Sequence, residues 1–185
     1  MEDNLSPSSH ATLLGDVDYM ARQVYQLLHL TEVSEEQNYQ FKIVDVNQVI
    51  EDVTRYLQRY AAHRNIVLHT HLPSFSIPVN ADESALFILL KNLVENAILH
   101  TLHGKSVIIH ATSASIAVHD HGAGIPKSDL PFLFQRFWRG PERQNEGAGL
   151  GLAICSEIAV AHHWDIQATN TDSGGVFTVY FRQPT

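Results

Sequence analysis

The chain has 185 residues, 44% apolar and 17% charged, which suits a folded core with an appendage and argues against wholesale disorder. A formal net charge of −8 argues against a duplex-binding surface, so no nucleic-acid partner is expected; a small phosphate ligand stays compatible, because backbone amides and a metal ion can hold one. The single cysteine, Cys155, lies in an apolar stretch, reads as a buried thiol, and leaves no intrachain disulfide, so a reducing compartment is expected.

Residues 1–9 are polar. From 11 to 31, Leu13, Val17, Met20, Val24 and Leu27 alternate at spacings of four and three, a heptad seam, and Leu14, Ala21 and Leu28 widen it. This predicts a coiled-coil-like helix that packs in a four-helix bundle, or an amphipathic helix lying on the domain. The polar run 34–38 follows, which divides the chain into 1–33 and 34–185. The pattern then predicts a strand at 39–44 and a helix at 46–61 with Val49, Ile50, Val53, Tyr56, Leu57 and Tyr60 on one face. Strands follow at 66–70 and 76–79 around Pro73, then a long helix at 82–100. A hairpin is expected from 107–111 and 115–118, a short helix at 129–135 and a helix at 150–162. Strands at 165–169 and 176–181 close the chain, joined by a turn at Ser173, Gly174 and Gly175. The fold class expected is α+β: a two-layer α/β sandwich with a mixed, mainly antiparallel sheet covered by helices on one face, plus the N-terminal coiled-coil-like helix. No apolar run is long enough to span a bilayer, and the first residues carry no signal-peptide pattern. The twelve histidines include the pairs His69/His71, His119/His121 and His162/His163. With no Cys, Asp or Glu set at ligand spacing, they read as surface and turn histidines.

Four segments carry candidate chemistry. On the long helix, Asn92, Asn96 and His100 recur every four residues and share a face, while Leu89, Leu93 and Ala97 form an apolar face beside it. Two amides on a partly apolar helix are costly unless something uses them, and an amide oxygen suits Mg²⁺ beside phosphates. The second segment is Asp120, His121, Gly122, Ala123, Gly124, Ile125: a carboxylate at a strand end, able to accept from an exocyclic amine, then glycines that let a flat ligand approach. In the third, 133–140, aromatics dock a short helix, and Arg136 and Arg139 suit phosphate oxygens. The fourth, Gly147, Ala148, Gly149, Leu150, Gly151, Leu152, opens a helix whose free amides make an anion site. It follows no strand and no Lys-Ser/Thr follows it, so it is neither a dinucleotide fingerprint nor a P-loop.

In this order the four segments resemble the N, G1, F and G2 boxes of the sensor histidine kinase catalytic domain, within the wider family of gyrase, chaperone and mismatch-repair ATPases. The resemblance runs from about residue 40 to the C-terminus, and residues 13–28 resemble the second helix of that family's dimerisation and phosphotransfer domain. It implies ATP and Mg²⁺ as cofactors, with Asn96 as the metal ligand and Asn92 near the phosphates. It implies that Asp120 reads the adenine amine, that Gly122, Gly124 and Ile125 shape the base pocket, and that His100 flanks the nucleotide. Arg136 and Arg139 would approach the phosphates. Gly147, Gly149 and Gly151 would open the amides of Leu150 and Leu152 to them, 126–147 would form a lid, and Thr178 would reach adenine through water. The partners implied are a histidine-bearing dimerisation domain of the same protein and a response-regulator receiver domain. The parent implied is a membrane-anchored homodimer with this portion cytoplasmic.

The pattern departs in places. Leu99 stands where a basic residue is common, and His163-Trp164 where a Gly-Gly turn is usual. His10 lacks the acidic neighbour and the Arg-Thr-Pro of a phosphoacceptor segment, so the acceptor helix is expected to lie outside this piece. Asn92 stands where hydrolytic relatives place a glutamate base, and an amide cannot act as one. Phosphoryl transfer to histidine is therefore the expected activity. The rivals are a non-catalytic nucleotide-sensing or dimer-docking module and an anti-sigma-factor-type serine kinase, the latter disfavoured by the heptad helix.

Overall fold

A computed structural model describes residues 39–138, 140 and 149–181. The helix expected at 11–31, the boundary at 33/34, Arg139 and Gly147 lie outside the described residues.

Strand β1 (Lys42–Asp45) runs into α1 (Val46–His63) through an aspartate cap. Asp45 Oδ1 accepts the amide of Asn47 at 3.1 Å and that of Ile77 at 3.1 Å, and Asn47 donates its side-chain amide to the Phe75 carbonyl at 2.9 Å. These bonds hold the 72–77 loop on the start of α1. They deliver β3 (Pro78–Ala81) alongside β1 as an antiparallel pair, Lys42 opposite Ala81. The strands flanking Pro73 are therefore not partners, and the expected single sheet is joined by a second one of two strands. On α1, Val46, Val49, Ile50, Val53, Leu57 and Ala61 are buried. Tyr56, expected on that face, is 62% exposed and sets its ring edge against Phe87 at 5.7 Å.

The main sheet contains β2 (Val67–His71), β4 (Ser106–Ala111), β5 (Ser115–His119), β6 (Asp165–Thr171) and β7 (Gly174–Tyr180), in the order β2-β4-β5-β7-β6. β2 pairs parallel with β4 and the other pairings are antiparallel, so the sheet is mixed and mainly antiparallel as expected. Alternation along the strands buries Val107, Ile109, Ala111, Ile116, Val118, Phe177 and Val179 under one layer of helices. In that layer α2 (Glu83–His100) lies between α1 and α3 (Gly151–Ala161). Leu86, Leu89, Leu93, Val94, Ala97 and Ile98 of α2 are fully buried. Each such aliphatic side chain is worth about 1.5–3 kcal/mol relative to exposure. That fixes the rotation of α2 and hence the direction of its polar face. The helix expected at 129–135 is one 3₁₀ turn, Leu130–Phe132. Amides of Asp129, Phe132 and Gln135 all bond three residues back, which keeps the segment in successive turns.

α1 and α3 end alike. Ile66 N bonds Ala61 O and Asn65 N bonds Ala62 O, while Trp164 N bonds Ala159 O and His163 N bonds Val160 O. Asn65 and His163 hold φ of 57° and 58° at the position where glycine is usual. For His163 this left-handed backbone costs roughly 1–2 kcal/mol. The cost is offset by Trp164, which is buried against Phe181 and His162 at ring distances of 5.1 and 4.6 Å.

His162 ties two helix ends together. Its Nδ1 bonds the Ile158 carbonyl at 2.8 Å and its Nε2 accepts the Asp82 amide at 3.0 Å, so the ring is held neutral. Burial holds its pKa below the ordinary 6.5, as burial and then the neighbouring His110 and His121 do for His119. The unfolded chain therefore binds more protons than the folded one as pH falls below about 6.5. The stability these two rings contribute is complete above that pH and is lost as pH drops through their lowered folded values. Urea unfolding should give a lower midpoint at pH 5.5 than at pH 7.5, and His162→Gln should flatten part of that slope. An unchanged midpoint would reject the buried neutral rings.

Candidate active site

α2 is the spine of the site. Asp82 caps it by accepting the Ala85 amide at 2.9 Å, and its last residue is His100. Asn92 is buried and Asn96 half-buried, and the Nδ2 atom of each is buried with no hydrogen-bond partner among the described residues. Unsatisfied buried amides are rare in folded proteins, and a bound ligand is one way such groups are satisfied. From Asn92 to His100 the helix advances about 12 Å at 1.5 Å per residue.

Each end of this face meets a glycine segment. At the Asn92 end α3 begins: a Cβ built on Gly151 would stand 3.9 Å from Asn92 Cβ, ordinary contact. The residue before it, Leu150, is buried and caps no amide with its side chain, so the first-turn amides of α3 have no side-chain acceptor among the described residues. Gly149 holds φ of 68°, and Leu152 is half-buried in the first turn. At the other end Gly122 packs against the His100 carbonyl so closely that no Cβ fits. Two bonds stitch the helix end to this loop, His121 N to Thr101 Oγ1 at 3.2 Å and Leu102 N to His121 O at 3.1 Å.

Asp120 sits just past β5, 4% exposed. Its Oδ1 accepts the amides of Gly122 at 2.9 Å and Gly175 at 3.0 Å, and its own amide bonds the Gly175 carbonyl at 3.0 Å. Oδ2 is therefore the oxygen available to a donor from a ligand. Gly174, at φ of 151°, and Gly175 lie so near Asp120 that a side chain on either would strike it. Ile125 lines the same place, 3.3 Å from where a Gly175 Cβ would be.

Asn170 on β6 is a residue the sequence reading missed. Its Oδ1 accepts the Ile125 amide and its Nδ2 donates to the Ile125 carbonyl, both at 2.7 Å, which mimics a strand pairing and fixes the loop beside Gly124 (φ 77°). Asn170→Ala should loosen that loop and weaken ATP binding several-fold while leaving the thermal midpoint within a few degrees. Titration calorimetry and a melting curve check both, and unchanged affinity would reject the role.

The third segment is clipped to the same region. Leu133 is buried, Phe134 meets Phe177 edge-on at 6.3 Å, and Phe137 N bonds Gly149 O at 2.9 Å with Phe137 at φ of 64°. Arg136, expected to approach phosphates, bonds Glu157 of α3 at 2.9 Å. Both side chains are partly exposed, so this pair is worth little by itself and can yield to a phosphate. Thr178 is a correction. It pairs with Ala117 and Gln167, between the buried Phe177 and Val179, so it stands on the sheet face away from the helices and away from Asp120. Cys155 is fully buried, donates to the Leu89 carbonyl at 3.5 Å, and burial drives its thiol pKa up, so it is no nucleophile. Among the described residues no three His, Cys, Asp or Glu groups are arranged to hold a metal.

Comparison with known proteins matches residues 81–185 to the family model "Histidine kinase-, DNA gyrase B-, and HSP90-like ATPase". The chain is 32% identical to the sensor histidine kinase RppB of Synechocystis sp. over 93% of this chain and 42% of RppB. It is 33% identical to the signal transduction histidine-protein kinase BaeS of Escherichia coli over 92% of this chain and 38% of BaeS. It thus spans about two fifths of the length of these curated relatives. The solved structure of Acinetobacter baumannii histidine kinase AdeS matches with a TM-score of 0.76 at 26% identity, over 98% of this chain and 87% of that one. Histidine kinase ThkA in complex with response regulator protein TrrA matches with a TM-score of 0.76 at 22% identity, over 98% and 52%. The fold, the two unsatisfied asparagines between two glycine segments and these matches agree: the chain belongs to the histidine kinase-, DNA gyrase B- and HSP90-like ATPase family and carries the catalytic, ATP-binding domain of a two-component sensor histidine kinase.

Proposed function

We propose that this domain binds Mg-ATP along the polar face of α2 and transfers the γ-phosphoryl group to a histidine on the dimerisation domain of the same protein. The observation that carries the proposal is the pair of partnerless amides, Asn92 and Asn96, on a helix whose two ends abut the two glycine segments. The base end is read by Asp120 Oδ2, between His100, Gly122 and Ile125. The phosphate end is Asn92 with the open amides of Leu150, Gly151 and Leu152 at the start of α3, beside Gly149. Asn96 lies between them, and its amide oxygen, which accepts from no donor among the described residues, would hold the metal. When bound, Mg²⁺ neutralises charge on the phosphate oxygens. Arg136 exchanges Glu157 for phosphate, and Arg139 and Gly147 are proposed to approach the same group. Asn92 cannot abstract a proton, so water is not activated there, and transfer to an external imidazole is favoured over hydrolysis. From the ThkA complex, a response-regulator receiver domain is the proposed recipient of the phosphate. A homodimeric, membrane-anchored parent with this domain on the cytoplasmic side is proposed from the sensor kinases it resembles. Among the described residues no helix is long and apolar enough to cross a membrane.

Calorimetry should show Mg-ATP binding by the wild-type chain, weakened at least tenfold in Asn96→Ala. Wild-type affinity in that variant would remove the site. With radiolabelled ATP, an added dimerisation domain bearing the acceptor histidine should gain label. No transfer with ATP demonstrably bound would leave a nucleotide-sensing module.

A further inference from the structure

The face of the main sheet opposite the helices carries a group of imidazoles outside the proposed nucleotide site. β2 and β4 pair in parallel with His69 opposite Ile108 and His71 opposite His110, so His69, His71 and His110 share that face. β5 pairs His119 with Ile108, which sets His119 on the same face and diagonal to His110. His69, His71 and His110 are exposed, and the rings of His71 and His110 lie with centroids 6.3 Å apart and planes at 64°. Neither of those two rings has a hydrogen-bond partner among the described residues, so each keeps a nitrogen open to a ligand.

We propose that His71 and His110 form a two-imidazole clamp for a late transition-metal ion, taking Cu²⁺ in preference to Ni²⁺ or Zn²⁺. Strand pairing holds the two side chains together before any ion arrives, so little ordering is required on binding. An ion at about 2.0–2.1 Å from each nitrogen needs the two nitrogens no more than about 4 Å apart. Two exposed rings with centroids at 6.3 Å reach that by a modest turn about their side-chain torsions. Imidazole nitrogen suits these ions, and affinity rises along the series toward Cu²⁺. His69, two residues along β2, and His119, on the diagonal, flank the pair on the same face, and water completes the shell. No three such groups already converge among the described residues, so the clamp is an exchangeable site and not a structural one.

The test uses the full chain without nucleotide and Cu²⁺ alone as the probe. Substoichiometric Cu²⁺ should broaden the ring signals of His71 and His110 in proton spectra before those of any other histidine. The double variant His71→Ala/His110→Ala should lose at least tenfold in affinity for the tightest Cu²⁺ site by calorimetry, with circular dichroism and Mg-ATP affinity unchanged, since both residues are exposed and remote from α2. First broadening at other histidines, or a loss in affinity smaller than tenfold, would overturn the clamp.

Discussion

Asp120→Asn should fold and yet lose at least tenfold in ATP affinity. Asp120 has one task in the loop and a second proposed at the base, on different oxygens. Oδ1 accepts the amides of Gly122 and Gly175, which shapes the loop, and an asparagine carbonyl can do the same. Oδ2 is the oxygen proposed to read the base, and in asparagine it becomes an NH₂ group that would meet the adenine amine donor to donor. Asp120→Ala removes both tasks. It leaves the buried Gly175 amide, at about 1–3 kcal/mol, and the part-buried Gly122 amide without an acceptor, and should lower the thermal midpoint as well as the affinity. Comparing the two variants by melting curve and calorimetry separates reading the base from building the loop. Wild-type affinity in Asp120→Asn would mean that this carboxylate is structural only.

The second large effect is expected at Gly122. A methyl group there would strike the His100 carbonyl and stand 3.0 Å from Asp120 Oδ1. Neither neighbour can give way cheaply. The His100 carbonyl belongs to the last turn of α2, which Thr101 and Leu102 bond to the same loop, and Asp120 is held by two amides. Overpacking of this kind costs about 1–3 kcal/mol. Gly122→Ala should therefore melt several degrees lower and fail to bind ATP at concentrations that saturate the wild type. Gly151→Ala is the control: its Cβ would make an ordinary contact with Asn92, and alanine favours the start of a helix. That variant should melt at or above the wild-type temperature. Equal melting of Gly122→Ala and wild type would show that the loop can move away from α2, and that the close approach does not define the base end.

The long helix was legible because its apolar and polar residues follow the helical period, and burial of Leu89, Leu93 and Ala97 leaves one orientation for Asn92 and Asn96. The motif order likewise foretold which loops meet it. Asn170 was hidden because one exposed asparagine near a turn has no pattern, and its value lies in the 45-residue separation from Ile125. Thr178 was misplaced because strand alternation has two phases, and the register with Ala117 and Gln167 selects the outer one. His163 shows that an absent glycine did not abolish the turn: the buried Trp164 and the bonds back to α3 hold a left-handed histidine in place.

By itself the sequence determined the class of fold, the identity of the helix that bears the two amides, and the kind of ligand, because periodicity and glycine placement are local properties of the chain. Only the tertiary structure decided which glycine meets which end of α2, that Asp120 gives Oδ1 to the amides of Gly122 and Gly175, that Arg136 rests on Glu157, and that the histidines of β2 and β4 stand side by side. Those outcomes depend on strand register and on contacts across tens of residues, which close packing fixes and local preference does not.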